Sequence, residues 1–170
     1  LYFDALADVC PPPDALDGMK IAVDLSNGAA TPCIRWIEER YTGAEWVWLG
    51  RGDGIINEGV GSEHPTHLSE GILAHQCVAG FAVDGDADRC VVADEKGQVI
   101  PGDALTWMLA RDMALTELAV TVMSNVGLEK SLPGVRIVRT PVGDKHLSRV
   151  MEAQGIPLGA EESGHVLFLD

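Results

Sequence analysis

Basic side chains, cysteine motifs and long apolar runs are all scarce in this chain of 170 residues. Lys and Arg number 12 against 26 Asp and Glu, which gives a formal net charge of −14. A chain this acidic is poorly suited to binding a nucleic-acid backbone or an anionic membrane surface. No apolar run approaches the roughly 20 residues that a membrane-spanning helix requires. We therefore expect no nucleic-acid partner and no membrane partner.

Cysteine usage and the N-terminus indicate the cellular compartment. The four cysteines are irregularly spaced and form no C-x-x-C pair, which argues against a zinc knuckle or a disulfide framework. This favours a reducing compartment, and we predict a cytoplasmic protein. Asp4 and Asp8 and the lack of a basic segment argue against a signal peptide. Because the chain begins with Leu1 rather than Met, we expect it to be a piece of a longer protein.

Apolar segments and helical segments alternate along the chain. Strands are predicted over residues 20–25, 44–49, 77–83, 90–93, 98–100, 118–123, 135–139, 157–160 and 166–169, and helices over 29–41, 66–76, 103–114, 127–132 and 144–154. This alternation predicts an α/β fold of two small domains, with mixed, largely parallel sheets flanked by helices. Pro101 and Gly102 mark the boundary, so the domains span residues 1–100 and 101–170, the second being truncated at its C-terminus.

The sharpest chemical signal is an acidic loop directly after an apolar strand. Asp84, Asp86 and Asp88 alternate with small residues, so all three carboxylates can reach one hard cation. Without a cation, carboxylates this close would repel one another. Mg²⁺ is the natural occupant, since it takes oxygen ligands and keeps positions open for water or a phosphate oxygen.

Two other interpretations of this loop are weaker. An EF-hand would place Glu95 at position 12, but Arg89 occupies position 6, where Gly is required, and strands flank the loop where helices are needed. A merely solvated acidic turn is disfavoured because apolar residues anchor both ends of the loop. Arg89 can hold a phosphate against the metal, since guanidinium matches phosphate oxygens bidentately, or it can simply balance the local charge.

A second polar loop follows the strand predicted at residues 157–160. Glu161 and Ser163 can bind vicinal sugar hydroxyls as acceptor and donor, and His165 can act as a general acid or base near neutral pH. The alternatives are a capping Glu-Ser turn and a structural histidine.

Upstream of this loop, a helix start at residues 140–146 can hold an anion with help from Lys145. Equally, it can be an ordinary connection with Asp144 as the N-cap. The chain has no Walker P-loop, no complete dinucleotide fingerprint and no G-x-S-x-G elbow.

Taken together, these segments resemble the α-D-phosphohexomutase family. Residues 84–89 (DGDADR) are similar to its metal-binding loop, and residues 159–165 (GAEESGH) to its sugar-recognition loop. Further stretches are most similar to the phosphoglucosamine mutase branch: residues 22–29 (AVDLSNGA), 56–65 (INEGVGSEHP), 122–128 (VMSNVGL) and 140–145 (TPVGDK). The resemblance covers nearly the whole chain in consistent order.

The resemblance implies an enzyme that interconverts 6-phospho and 1-phospho hexoses, here glucosamine phosphates. Family members have four domains and work through a phosphoserine in the first domain and a hexose 1,6-bisphosphate intermediate. This chain would be the second domain and most of the third. Its partners would be the phosphosugar and the first and fourth domains of the same longer chain.

The resemblance also assigns roles to the residues of the acidic loop. Asp84, Asp86 and Asp88 would bind Mg²⁺, with Arg89 contacting the transferring phosphate. Ala87 stands where Gly is also common in the family. Since its methyl group is small, we expect metal binding to be retained.

The remaining roles implied by the resemblance concern the substrate. Glu161 and Ser163 would bind sugar hydroxyls, and His165 would assist proton transfer. Lys145 would contact the substrate or its phosphate. The family's phosphoserine loop is missing, and Ser62 belongs to a different family segment, so we do not assign it as a nucleophile. We expect this chain alone to be inactive as a mutase.

Two competing hypotheses remain. Within the same class, the enzyme could be a phosphomannomutase/phosphoglucomutase, because sugar choice depends on a few loop contacts. In another class, the chain could be a non-catalytic acidic module that binds cations.

Overall fold

A computed structural model describes residues 2–169, without the side chains of residues 2, 4 and 5. The chain forms two compact units. The first holds the chain up to Ala87 together with Val92–Val99, and the second holds Asp88–Val91 together with the chain from Ile100 onward. The end positions of the two predicted domain ranges, 1 and 170, lie outside the described residues. No helix in the described part of the chain combines the length and apolar character needed to cross a membrane.

The first sheet has five strands in the order β2-β1-β3-β4-β5. The strands are β1 (Lys20–Asp24), β2 (Glu45–Leu49), β3 (Ala79–Val83), β4 (Cys90–Asp94) and β5 (Val99–Ile100), and the helices are α1 (Tyr2–Val9), α2 (Cys33–Arg40) and α3 (Pro65–His75). Strand β1 pairs in parallel with both β2 and β3. The carboxyl ends of these three strands therefore lie at one edge of the sheet, where the loops that follow them meet.

Helix α3 packs closely against this sheet. Leu68 and Ile72 are fully buried on the helix. A Cβ on Gly80 of β3 would lie 2.8 Å from Leu68 Cδ1 and 2.7 Å from Ile72 Cδ1. The glycine therefore lets the helix approach the strand, and the first core forms at this contact.

The second unit carries a four-stranded sheet in the order β7-β6-β8-β9. Its strands are β6 (Glu117–Thr121), β7 (Arg136–Thr140), β8 (Leu158–Ala160) and β9 (Val166–Phe168), and its helices are α4 (Gly102–Asp112), α5 (Val126–Ser131) and α6 (Asp144–Gln154). Strand β6 is parallel to β7 and β8, and β9 closes the sheet as an antiparallel hairpin strand. One buried cluster is centred on Leu118 and Leu158, and the other on Leu147 and Met151.

The predicted fold class, two α/β sheets with flanking helices, is confirmed. Two details of the prediction are wrong. Helix α2 begins at Cys33 rather than at residue 29, because residues 29–32 form successive turns before the helix. Helix α1 was not predicted at all. Phe3 of α1 stacks on Trp36 of α2 with ring centroids 5.5 Å apart, a tertiary contact that has no signature in local sequence.

Candidate active site

Three aspartates lie together on the loop after β3. Asp84, Asp86 and Asp88 each present a carboxylate oxygen, and these oxygens lie within 4.8 Å of one another. Asp84 is only 1% exposed, whereas Asp86 and Asp88 are open to solvent. The loop thus has a buried carboxylate at its base and two accessible ones above it, as a site for a hard cation requires.

The backbone of this loop fits a cation site. A Cβ on Gly85 would lie 2.6 Å from Ile56 Cγ2 and 3.1 Å from Asn57 Nδ2, so only glycine fits between the first two aspartates. Its carbonyl oxygen accepts a hydrogen bond of 2.9 Å from Ala29 N, which ties the loop to the turn after β1. The oxygen-only donor set matches Mg²⁺. The residues present therefore fit the ion.

Ala87 adopts a left-handed backbone conformation, with φ of 64°. Its N–H donates to Asp84 O at 3.1 Å, which closes a tight turn between the first and third aspartates. This turn lets the alternating carboxylates converge. A Cβ is unfavourable at positive φ, so the loop geometry suits glycine better than alanine.

Arg89 follows the aspartates and lies beside Asp88. Its Nε is 3.9 Å from Asp88 Oδ1, and its side chain is 30% exposed. The guanidinium therefore stands at the accessible side of the carboxylate group. It partly offsets the negative charge there.

In the second unit, Glu161 is the centre of a hydrogen-bonded network. It is 6% exposed. Its Oε1 accepts from Gly143 N at 2.8 Å, and its Oε2 lies 2.8 Å from His165 Nδ1 and accepts from Ser163 Oγ at 3.2 Å. A carboxylate has about four lone-pair sites, so it can accept these bonds and one more. Three of the residues predicted to contact substrate thus lie together.

His165 also reaches the acidic loop. Its Nε2 lies 3.2 Å from Asp88 Oδ2, while its Nδ1 faces Glu161. Behind the ring, Cys90 N donates to Gly164 O at 3.0 Å. Within the second unit, the third aspartate and the Glu-Ser loop are therefore held together by side-chain and backbone contacts.

The structure contradicts one of the two interpretations of the helix start near Lys145, the one with Asp144 as the N-cap. The N-cap of α6 is Gly143 with φ of 122°, and Asp144 is the first helical residue, so Asp144 is not the N-cap. A side chain cannot readily occupy that φ, which explains the glycine. The anion at this helix start is the carboxylate of Glu161. Lys145 is exposed on the first turn of α6.

A cleft of about 240 Å³ lies beside the Glu-Ser loop. It is lined by Thr121, Met123, Val142, Glu161, Glu162 and Ser163. Glu162 is anchored at the side, since its Oε2 accepts from Asp103 N at 2.6 Å. The lining combines two apolar side chains with carboxylates and hydroxyls, a mixture suited to a polar ring with apolar faces.

The residues predicted from the sequence do not include one buried polar group, the carboxylate of Asp24. Asp24, at the end of β1, is fully buried and accepts from Ser26 N at 3.0 Å and Gly61 N at 2.9 Å. Its Oδ2 also lies 2.7 Å from His67 Nδ1 on α3. The sequence does carry a signal for this group, because a carboxylate at the end of an otherwise apolar strand needs hydrogen-bond partners when it is buried.

Chemically, the two loops offer complementary groups. Asp84, Asp86 and Asp88 supply hard oxygen ligands, and Arg89 supplies a fixed positive charge. Ser163 and His165 supply a hydroxyl and an imidazole that can donate, accept or move a proton. The first group suits a divalent cation and an anion, and the second suits a hydroxyl-rich group.

Comparison with known proteins agrees with this chemistry. Residues 101–170 match the family model for phosphoglucomutase/phosphomannomutase, alpha/beta/alpha domain III. A phosphoglucosamine mutase from Anaeromyxobacter sp. is 40% identical over 179 aligned residues, which cover 99% of this chain and 38% of the relative. The chain thus spans well under half the length of this curated relative.

Solved structures share the fold. A phosphoglucomutase/phosphomannomutase family protein from Burkholderia thailandensis is 26% identical with a TM-score of 0.77, over 89% of this chain and 35% of that one. N-acetylphosphoglucosamine mutase from Aspergillus fumigatus, solved with GlcNAc-6P and magnesium, is 19% identical with a TM-score of 0.66, over 99% of this chain and 40% of that one. The resemblance in the sequence motifs is confirmed, and the chain belongs to the α-D-phosphohexomutase family, as a part that is most like phosphoglucosamine mutase.

Proposed function

We propose that this chain is the central part of a phosphoglucosamine mutase, which interconverts glucosamine 6-phosphate and glucosamine 1-phosphate. The observation that carries the proposal is the convergence of the carboxylates of Asp84, Asp86 and Asp88 within 4.8 Å. It occurs in a chain that is 40% identical to a phosphoglucosamine mutase. The phosphoryl group would pass through a phosphoserine elsewhere in the longer protein and through a hexose 1,6-bisphosphate.

The chain would contain two domains of that enzyme. Residues 1–100 would be the second domain, which carries the cation loop, and residues 101–170 the third, which carries the sugar loop. The match of residues 101–170 to a domain III model supports this division. The first and fourth domains would be supplied by the rest of the longer chain, in the cytoplasm.

The acidic loop would hold the phosphoryl group in place. Asp84, Asp86 and Asp88 would bind Mg²⁺, which supplies charge neutralisation for phosphoryl transfer. Magnesium is present in the structure of the Aspergillus relative. Arg89 would grip a phosphate oxygen at the accessible side of the loop. These groups set the local field, which explains how a chain of net charge −14 serves an anionic substrate.

The Glu-Ser loop would orient the sugar. Ser163 would turn its single hydroxyl proton from Glu161 to one sugar hydroxyl, and Glu161 would accept from another. His165 would hold or move the proton of the reacting hydroxyl, with Glu161 fixing the ring through Nδ1. Lys145 would contact the substrate or its phosphate. Since the bisphosphate must present either end to the phosphoserine, the same residues would bind the sugar in two orientations.

The test uses the full-length protein that contains this chain, assayed with glucosamine 6-phosphate and MgCl₂. Asp86→Ala is expected to abolish Mg²⁺-dependent turnover, whereas Asp53→Ala, at an exposed loop position, should retain it. Near-normal turnover by Asp86→Ala would contradict the metal assignment. Preferential turnover of glucose or mannose 6-phosphate by the wild-type protein would instead support a phosphomannomutase/phosphoglucomutase.

A further inference from the structure

Three buried side-chain oxygens near the acidic loop have no hydrogen-bond partner among the described residues. They are Ser26 Oγ, Asn57 Oδ1 and Ser62 Oγ, which we call the oxygen cluster. Ser26 is completely buried. A buried polar atom without a partner is costly, because it loses its hydrogen bonds to water and gains none. Three of them in one region call for a ligand.

The segments that carry the oxygen cluster contact the residues around the start of the acidic loop. Ser62 N donates to Val83 O at 3.0 Å, directly before Asp84. A Cβ on Gly85 would lie 3.1 Å from Asn57 Nδ2, the amide nitrogen of the side chain whose Oδ1 belongs to the cluster. Asn57 N in turn donates to Ser26 O at 3.0 Å, so the first and second members of the cluster are joined. All three segments therefore touch the stretch that carries the buried first aspartate.

The backbone at the cluster is held in unfavourable conformations. The backbone φ is 50° at Ser26, 56° at Asn27 and 60° at Asn57. Asn tolerates this region better than most residues, and Ser does so poorly. Backbone strain by itself assigns no function. Here it shows that the backbone at Ser26 and Asn57 is held by the surrounding fold.

We infer that Asn57, supported by Ser26 and Ser62, is a positioning residue of the cation site. Mg²⁺ dehydrates reluctantly and usually keeps several waters. The oxygen cluster would take up hydrogen bonds from that water and hold the loop backbone around Gly85. Groups that support metal ligands in this way commonly change metal affinity by 10-fold to 100-fold when removed. This inference rests on the proposed cation site and extends it to residues outside the acidic loop.

The test measures Mg²⁺ affinity by calorimetry and thermal unfolding in EDTA on the 170-residue chain. Asn57→Gly keeps a residue suited to positive φ and removes the side chain, and it should weaken Mg²⁺ binding about tenfold. Asn57→Asp keeps an oxygen at the same place and should bind at least as tightly as the wild type. Gln76→Gly, another polar residue at positive φ, lies at the end of α3 and should leave the affinity unchanged.

A second variant separates positioning from stability. Ser62→Ala removes an unpartnered hydroxyl, so the metal-free chain should unfold at the same or a higher temperature. Its Mg²⁺ affinity should nevertheless fall severalfold, and Ser148→Ala on the exposed side of α6 should change neither quantity. A structural role alone cannot lower affinity while stability is kept.

Each failure has its own signature. Wild-type affinity in both Asn57→Gly and Ser62→Ala would overturn the inference while leaving the cation site intact. An equal loss of affinity in Asn57→Gly and Asn57→Asp would also overturn it, because the oxygen would then not be the group that matters. A wild-type chain that binds no Mg²⁺ at millimolar concentration would overturn the proposed cation site itself.

Discussion

Ala87 illustrates what a single methyl group costs in the acidic loop. At φ of 64° a Cβ lies close to the backbone, which costs about 1–2 kcal/mol relative to glycine. The sequence predicts that alanine is tolerated here because its methyl group is small. That prediction considers only the space that the methyl group takes up near the cation. The backbone conformation adds a cost that size alone does not reveal.

Ala87→Gly is therefore expected to raise the free energy of unfolding by about 1 kcal/mol, less than the full strain because glycine also gains entropy in the unfolded chain. Urea denaturation measures this change. Ala153→Gly, at an exposed position inside α6, is the matched control and should lower the free energy of unfolding by about 1 kcal/mol. If both substitutions lowered the free energy of unfolding, the positive φ of Ala87 would not carry the energetic cost assigned to it.

Cys90 follows Arg89 at the start of β4, and burial raises the pKa of its thiol to about 11. At pH 8 the reactive thiolate is then roughly a hundredfold scarcer than for a thiol of ordinary pKa. We expect Cys90 to react with iodoacetamide near pH 8 more slowly than Cys10, as peptide mass spectrometry would show. Because the folded pKa is raised, the folded state loses stability as pH rises from about 9 to 11. Labelling of Cys90 at pH 8 as fast as that of Cys10 would contradict the predicted low reactivity of its thiol.

At the residue scale, the sequence predicts some contacts and hides others. The gathering of Asp84, Asp86 and Asp88 is predictable because their spacing is local. The contact of Glu161 with Gly143 is not, since Gly143 N lies 18 residues away on another strand–helix connection. Only the parallel pairing of the sheet brings these two loops to one edge.

At the scale of elements, Asp24 connects strand β1 to the turn that follows it, to the loop before α3 and to α3 itself. Its buried carboxylate accepts from the turn after β1 and from the loop before α3, and it pairs with His67 on α3. Three elements thus depend on one side chain. Hydrogen bonds to a charged acceptor contribute more than neutral ones, and a buried charge without its partners is costly.

Asp24→Asn should lower the free energy of unfolding by about 3 kcal/mol, because an amide can accept with one oxygen only and places a donor against backbone N–H groups. Chemical denaturation followed by tryptophan fluorescence in a Trp107→Phe background reports on the first unit, which holds Trp36, Trp46 and Trp48. Asp53→Asn, at an exposed position, should change it by less than about 0.5 kcal/mol. A loss below about 1 kcal/mol for Asp24→Asn would show that this carboxylate does not fasten the three elements.

Most strands and helices of this fold are predictable because their apolar periodicity is strong. Helix α6 is predicted at its observed bounds, Asp144–Gln154. Helix α2 is predicted four residues too early. Proline disfavours a helical conformation at the residue before it, so Pro32, the N-cap of α2, is the local signal for the later start. Residues 29–32 form turns instead, and Ala29 contacts the acidic loop from them.

At the scale of the whole molecule, the chain spans 38% of the Anaeromyxobacter relative, and the proposed phosphoserine lies outside it. Catalysis depends on bringing every reacting group into one place. The 170-residue chain should therefore show no mutase turnover with glucosamine 6-phosphate and its bisphosphate, in a coupled assay that detects the full-length protein. Multiple turnovers by the chain alone would contradict the proposal that the phosphoserine lies outside it.

The same reasoning predicts a difference in cation affinity. In the full-length protein the phosphoserine would add an oxygen ligand to those of Asp84, Asp86 and Asp88. Calorimetry should therefore find weaker Mg²⁺ binding to the 170-residue chain than to the phosphorylated full-length protein. Removing the phosphate enzymatically should bring the full-length protein close to the chain. Equal affinity in all three forms would exclude a phosphate ligand.

The contact between Cys90 and Gly164 has a consequence for engineering. Cys90 N donates to Gly164 O, and a Cβ on Gly164 would lie 2.7 Å from Cys90 O. The exit from one loop and the tip of the other are therefore joined through main chain, where substitution cannot easily compensate for a mismatch. Chimeric mutases that exchange sugar preference should transplant both segments from one parent, because a crossover that separates them brings together backbones that did not evolve as a pair.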